Sequence, residues 1–195
     1  MRLIYFDEVD STQDMALKYY LEGYGEGTVI LAKKQRKGRG RNGRFWYSPE
    51  GGLWLSIILQ PNLEDLSLLP LLASKALKDL LEERFSLKLK IKYPNDLYYE
   101  EKKLAGFLLE SSFKGDRLEY CILGVGINVN NPVPEGAISL KEIVNRELEL
   151  KDLTEAYLKK FFELYYKGLE VLLGEEIWYK GKNYKIKDLS FFKSL

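Results

Sequence analysis

Apolar positions along the chain repeat with two periods. Residues 2–9 and 28–33 read as strands, and 53–60 (Leu-Trp-Leu-Ser-Ile-Ile-Leu-Gln) reads as a buried strand. Between the first two the spacing changes to that of a helix, from about residue 12 to 22. Ser11 or Asp10 can cap it, and Asp14 lies in the first turn, where the helix dipole favours an acid. Gly23, Gly25 and Gly27 mark its end and the turn out. Pro70 fits the first turn of a second helix reaching about Arg84, with Leu69, Leu72, Ala73, Ala76, Leu77, Leu80 and Leu81 as its core-facing stripe. Strands follow at about 87–92, 96–100, 103–112 and 118–128, joined by turns short enough to favour antiparallel neighbours. A short helix is expected near 139–146. A longer one is expected at 153–173, with Asp152 and Glu155 spaced like a capping box. The last residues suggest short strands at 177–180 and 183–187. This pattern predicts an α+β fold: one mixed, largely antiparallel sheet with helices mainly on one face.

Composition narrows the chemistry. The 195 residues suffice for one sizeable domain, and 46% hydrophobic with 30% charged residues is ordinary for a soluble protein. No apolar run approaches the roughly 20 residues that span a bilayer. The first eight residues are charged too early for a signal peptide, so the expected location is cytoplasmic, with no membrane partner. There is no histidine, which excludes His-based triads, bases and metal ligands. The single cysteine, Cys121, lies in an apolar strand-like run and reads as a packing residue. Chemistry must rest on Lys, Arg, Asp, Glu, amides, hydroxyls or backbone groups.

Charge is distributed unevenly. Residues 33–44 hold Lys33, Lys34, Arg36, Lys37, Arg39, Arg41 and Arg44 and no acid. The whole chain is +1, so without these seven cations the remainder carries −6. A concentrated positive loop on an acidic body points to a local anionic ligand more than to a broad nucleic-acid surface.

Five short elements could carry chemistry. In Gly-Arg-Gly-Arg-Asn-Gly-Arg-Phe-Trp-Tyr-Ser-Pro (38–49), Gly38, Gly40 and Gly43 allow backbone N–H groups to turn toward an anion. Arg39, Arg41 and Arg44 can bind phosphate or carboxylate oxygens, and Trp46 offers a stacking face. The same composition suits a flexible basic arm. The spacing is neither that of a Walker loop nor that of a dinucleotide fingerprint. In Lys-Tyr-Pro-Asn-Asp (92–96), Asp96 could hold Mg²⁺ on a nucleotide, or the segment is a plain turn. In Lys-Lys-Leu-Ala-Gly (102–106), a hairpin would set Lys103 beside Asp96, where its ammonium could neutralise developing charge, or it is a solvated strand-end lysine. Gly106 suggests close approach by a ligand or another backbone. Gly-Val-Gly-Ile-Asn-Val-Asn (124–130) combines two strand glycines with the amides of Asn128 and Asn130. Asp-Ser-Thr-Gln (10–13) offers the hydroxyls of Ser11 and Thr12, equally suited to capping a helix.

Taken in order, these elements resemble the biotin–protein ligase family, the biotin–[acetyl-CoA-carboxylase] ligases or holocarboxylase synthetases, over roughly residues 5–145. The resemblance implies a class II aminoacyl-tRNA synthetase-like, biotin–lipoyl ligase fold. It implies an ATP-dependent enzyme that forms biotinyl-5′-AMP and transfers biotin to a lysine of a biotin carboxyl carrier protein. ATP with Mg²⁺ is then the substrate complex, with no tightly bound cofactor. By the same resemblance Ser11, Thr12, Gln13, Gln35, Arg39, Gly40, Arg41, Lys103 and Gly106 bind biotin. Arg39, Arg41, Arg44, Trp46, Asn95, Asp96, Lys103 and Asn128 bind ATP. Lys103, Asp96 and Arg39 are the catalytic candidates, and Asp96 is the metal candidate.

Three departures accompany the resemblance. Tyr93 stands where the family usually has Trp, and Gln13 where Asn is common. No winged-helix extension precedes the domain, so repressor activity and DNA binding are not expected. Residues 1–173 read as the catalytic domain and 174–195 as a truncated remnant of the family's C-terminal SH3-like domain. A monomer or a homodimer pairing sheet edges is implied. The competing readings are a lipoate or octanoate–protein ligase of related fold and a non-catalytic nucleic-acid-binding module using the basic loop.

Overall fold

The structure, a computed structural model, describes residues 1–62 and 64–195. The strands are β1 (Arg2–Val9), β2 (Thr28–Gln35), β3 (Leu53–Leu59), β4 (Lys90–Lys92), β5 (Asp96–Tyr99), β6 (Lys102–Lys114), β7 (Arg117–Ile127), β8 (Glu176–Tyr179) and β9 (Lys182–Lys185). The α-helices are α1 (Thr12–Leu21), α2 (Leu69–Phe85), α3 (Leu140–Val144) and α4 (Leu150–Lys167). All strands join one sheet in the order β1-β2-β3-β7-β6-β5-β4-β8-β9. The β1–β2 and β4–β8 pairs are parallel and the other pairs antiparallel.

Every residue of β3 is buried because both of its faces are covered. Leu53, Leu55, Ile57 and Leu59 join the main core with α2 and α4, whereas Ile58 joins Ala16 of α1, Ile30 and Ile122 in a smaller core. Strand alternation therefore sends successive residues to opposite layers. Helix α4 packs on α2, and the buried Tyr157 hydroxyl donates to the Ala73 carbonyl at 3.0 Å. Helix α1 covers part of the second face, against β2, β3 and β7, and the remainder carries the basic segment and the cavity.

Three local expectations are corrected. The second long helix spans Leu150–Lys167 rather than 153–173, and Glu149 precedes it without a side-chain cap. Asp152 lies inside the first turn and bonds Arg84 at 2.7 Å, so it forms no capping box. The helix stops at Gly168, whose φ of +96° breaks the helical path. A Ser-x-x-Glu start sits earlier, at Ser139, whose Oγ accepts from the Glu142 N–H at 3.2 Å. Strand β4 is shorter than the predicted 87–92. Ser86 closes α2 in a left-handed conformation, and the Glu82 carboxylate takes the Leu89 N–H at 2.9 Å.

Residues 176–185 form a hairpin that continues the sheet through β8 against β4. Glu175 pins its entry, lying 2.8 Å from Lys75 Nζ and 3.1 Å from Lys78 Nζ on α2. Burial pushes the Glu175 carboxyl up, but the two lysines outweigh burial and hold it below the ordinary value. A carboxylate depressed in the folded state stabilises above its unfolded pKa of about 4.3, and that contribution is lost as pH falls through the folded value. Glu175→Gln should lower the unfolding free energy at neutral pH by roughly 1–3 kcal/mol, since it leaves two lysines short of a partner. Urea denaturation should show the difference from wild type shrinking as the pH is lowered toward about 3.

Candidate active site

The site is built on a floor with almost no side chains. Gly106 of β6 lies directly opposite Gly126 of β7, and Gly124 lies two residues away on the same face. A Cβ at Gly126 would come within 2.6 Å of Trp46 Nε1, and one at Gly106 within 3.1 Å of the Trp46 ring. A Cβ at Gly124 would meet Gln13 Oε1 at 2.9 Å. The close approach at these glycines is thus made by the side chains of Trp46 and Gln13, where Gly106 was expected to admit a ligand or another backbone.

The basic segment is an ordered hairpin over this floor. Gln35 N–H donates to Ser48 O at 3.0 Å, Trp46 N–H to Gly38 O at 2.8 Å and Gly40 N–H to Arg44 O at 2.7 Å. A turn at Arg41–Gly43 reverses the chain, with Asn42 and Gly43 at φ +58° and +70°. Gly38 is required because a Cβ there would lie 2.5 Å from both Ser48 Oγ and Trp46 O. This corrects the expectation for Gly38 and Gly40: Gly38 lets the hairpin legs close, and the Gly40 N–H is spent inside the hairpin.

Most of the positive charge is already paired. Lys33 lies 3.6 Å from Asp7 and Lys34 4.0 Å from Glu8, while Arg36 reaches Asp10 at 2.7 Å and Glu8 at 3.5 Å. Arg39 is held by Glu110 and Asp14. Burial works against its charge, but the bonds to these two acids outweigh it and raise its pKa. Arg41 and Arg44 are exposed and have no carboxylate within 4.0 Å among the described residues.

Across the floor, Lys103 and Asp96 meet as their spacing predicted. A register shift between β5 and β6 sets Tyr98 opposite Lys103 and Asp96 opposite Gly106. Lys103 Nζ lies 2.8 Å from Asp96 Oδ1 and 4.8 Å from the Trp46 ring centroid, a cation–π distance. Residues 134–137 complete the rim, with Lys103 N–H donating to Gly136 O at 3.0 Å.

The resulting cavity has a volume of about 670 Å³. Ser11, Thr12, Gln13, Gln35, Arg39, Gly40, Arg41, Arg44, Trp46, Asn95, Asp96, Lys103, Gly106 and Asn128 all line it. Several already have structural duties. Ser11 Oγ caps α1 by accepting from Gln13 N–H at 3.1 Å, and Thr12 Oγ1 lies 2.7 Å from Ser56 Oγ. The Gln35 amide accepts from Thr12 N–H at 2.8 Å and donates to Ser48 Oγ at 2.9 Å. Asn95 donates to Phe107 O at 3.0 Å, and Asn128 Oδ1 accepts from Asn131 at 3.1 Å. Gln13 Oε1, Asn95 Oδ1 and Trp46 Nε1, all on residues that line the cavity, are buried without a partner among the described residues.

Asn130 is corrected: it bonds the Leu148 backbone through both amide atoms and does not line the cavity. Cys121 is buried, and burial followed by Glu26 pushes its thiol up to about 12, as suits packing. Glu110 and Asp14 were missed as partners of Arg39. Strand parity could have found Glu110, four residues beyond Gly106 on the same face of β6. Nothing in the pattern of residues 134–137 marks them as a rim.

A hairpin closed over a glycine floor, with a lysine–carboxylate pair at the far side, defines an α+β domain built around one cavity. The family model described as the Biotin/lipoate A/B protein ligase family matches residues 5–128, and the chain belongs to that family. Bifunctional ligase/repressor BirA of Bacillus subtilis is 41% identical over 144 residues, covering 72% of this chain and 44% of that protein. Biotin--protein ligase 2 of Arabidopsis thaliana is 32% identical over 195 residues, 91% of this chain and 57% of its own length. The chain thus spans about half the length of these relatives. Among solved structures, the biotin protein ligase from Aquifex aeolicus in complex with biotin and ATP superposes with a TM-score of 0.77 and 36% identity, covering 90% of this chain and 81% of the other.

If Trp46 needs the bare floor, Gly126→Ala should destabilise the wild type by about 1–3 kcal/mol through overpacking. In a Trp46→Ala background the same change should cost little. Chemical denaturation of the four proteins of this cycle measures the coupling.

Proposed function

We propose that this chain is an ATP-dependent biotin–protein ligase. Biotin's carboxylate attacks the α-phosphorus of Mg·ATP, giving biotinyl-5′-AMP and pyrophosphate. A lysine amine of a biotin carboxyl carrier protein then attacks the mixed anhydride and releases AMP. The observation that carries this reading is the convergence of the motif residues on one cavity, with the Lys103 ammonium 2.8 Å from Asp96 and over Trp46. The biotin protein ligase from Leishmania major, 26% identical, is known in complex with biotinyl-5-AMP, which supports this reading.

Neither half-reaction needs a protein nucleophile, which suits a chain without histidine whose only cysteine is buried. Carboxylate and α-phosphate repel each other, so holding both beside fixed positive charge opposes the main electrostatic barrier. In this reading Lys103 bridges the two anions and Arg39 binds the same anionic centre. Ser11, Thr12, Gln13 and Gln35 hold the ureido ring against Gly40 and Gly106. Arg41 and Arg44 close over the adenylate, while Trp46, Asn95 and Asn128 contact the nucleotide. Asp96 can supply the single carboxylate that Mg²⁺ on a nucleotide commonly takes. In this reading Mg²⁺ belongs to the ATP substrate complex. Residues 1–173 are the catalytic domain in this reading, with 174–195 the counterpart of the family's C-terminal domain.

Incubation with biotin and Mg·ATP should yield biotinyl-AMP by mass spectrometry. Adenylate with lipoate but not biotin would favour the sister activity instead. Lys103→Ala should slow single-turnover adenylation by roughly a hundredfold or more while circular dichroism stays unchanged. Arg41→Gly should speed release of the adenylate and increase labelling of bystander lysines. Unchanged bystander labelling would remove Arg41 from the closure role.

A further inference from the structure

Arg39 meets more negative charge than it carries. Its Nε lies 3.2 Å from Glu110 Oε2 and one terminal nitrogen 2.9 Å from Glu110 Oε1, a two-pronged contact. The other terminal nitrogen reaches Ser11 Oγ at 3.1 Å and Asp14 Oδ1 at 2.8 Å. A guanidinium has five N–H donors, and these contacts occupy four. A carboxylate entering the cavity therefore meets a cation whose donors are nearly all taken.

The two acids are held differently. Glu110 also accepts from Gln13 Nε2 at 2.8 Å, so three bonds converge on its carboxylate. By taking that N–H it turns the opposite amide atom, the buried and unpartnered Gln13 Oε1, to the cavity wall. Asp14 stands in the first turn of α1 with its side chain 61% exposed, against 37% for Glu110, and Arg39 is its only ion-pair partner among the described residues. A single exposed contact is worth little against water and salt.

Resting on the biotin ligase reading, we infer that Glu110 is a positioning residue fixing Arg39 and Gln13 in the cavity wall, and that Asp14 is an exchangeable counter-ion whose place the ligand's carboxylate takes. Occupation of the site then trades one carboxylate for another on the same guanidinium prongs, while the Glu110 fork stays in place. The two acids, one on each side of Arg39, act on ligand affinity with opposite signs.

Isothermal titration of the full chain with biotin, and with its uncharged carboxamide, tests this. Asp14→Asn should tighten biotin roughly two- to fivefold and leave carboxamide affinity unchanged, because a neutral ligand cannot replace Asp14. Glu110→Gln should weaken biotin roughly tenfold although it removes a negative charge, with the circular dichroism spectrum unchanged. Tightening by both substitutions would mean simple charge removal and overturn the inference. Weakening by both, or an equal effect of Asp14→Asn on biotin and carboxamide, would overturn it too. Wild type giving no heat with biotin would refute the ligase reading and this inference together, whereas wild-type binding with same-sign shifts refutes only the latter.

Discussion

The cavity exists because β6 and β7 carry no side chains where the basic hairpin must land. Gly106, Gly124 and Gly126 leave room for the Trp46 indole and the Gln13 amide, and Gly38 lets the hairpin legs close. Once Trp46 lies on the floor, its ring is the surface over which Lys103 extends, and Lys103 in turn meets Asp96. A Cβ at any one of these four positions would meet a neighbouring side chain or backbone atom at less than about 3.2 Å, tighter than side-chain carbons normally tolerate. The glycines are therefore steric requirements of packing first, and of ligand binding only through the shape they leave.

Charge in the site is managed by pairing. Four of the seven cations between residues 33 and 44 have acidic partners, three of them along β1 and its end, and Arg39 has two. What faces the cavity is a small number of cations in fixed geometry, together with Arg41 and Arg44 at the turn, which have no carboxylate within 4.0 Å among the described residues. Fixed donors need no reorganisation when charge develops, and this is where electrostatic catalysis draws its advantage. A field of seven free cations would attract any polyanion, whereas a paired set discriminates by shape.

Much of this was legible in the sequence, for definable reasons. Buried runs and helical stripes predicted the strands and α2 because burial on one or two faces dictates their period. The Asp96–Lys103 meeting followed from a short hairpin, and the cavity membership of the motif residues followed from resemblance. Four things were not legible. The start of α4 was misplaced because the acid at Asp152 looked like a cap but is drawn to Arg84 from another helix, a tertiary partner invisible to local pattern. The closeness at Gly106 was assigned to a ligand because sequence shows that space is needed, not what fills it. The Arg39 partners were missed because α1 and β6 converge only once the sheet is assembled. Asn130 failed for the same reason, its amide committed to the Leu148 backbone.

The proposed reaction joins a carboxylate to the α-phosphate of ATP in this cavity. Because that half-reaction is reversible and needs no acceptor protein, exchange of labelled pyrophosphate into ATP tests it most directly. Exchange that requires biotin, persists without any carrier protein and is lost in Lys103→Ala is the predicted result. Exchange independent of biotin, or undiminished in Lys103→Ala, would contradict it.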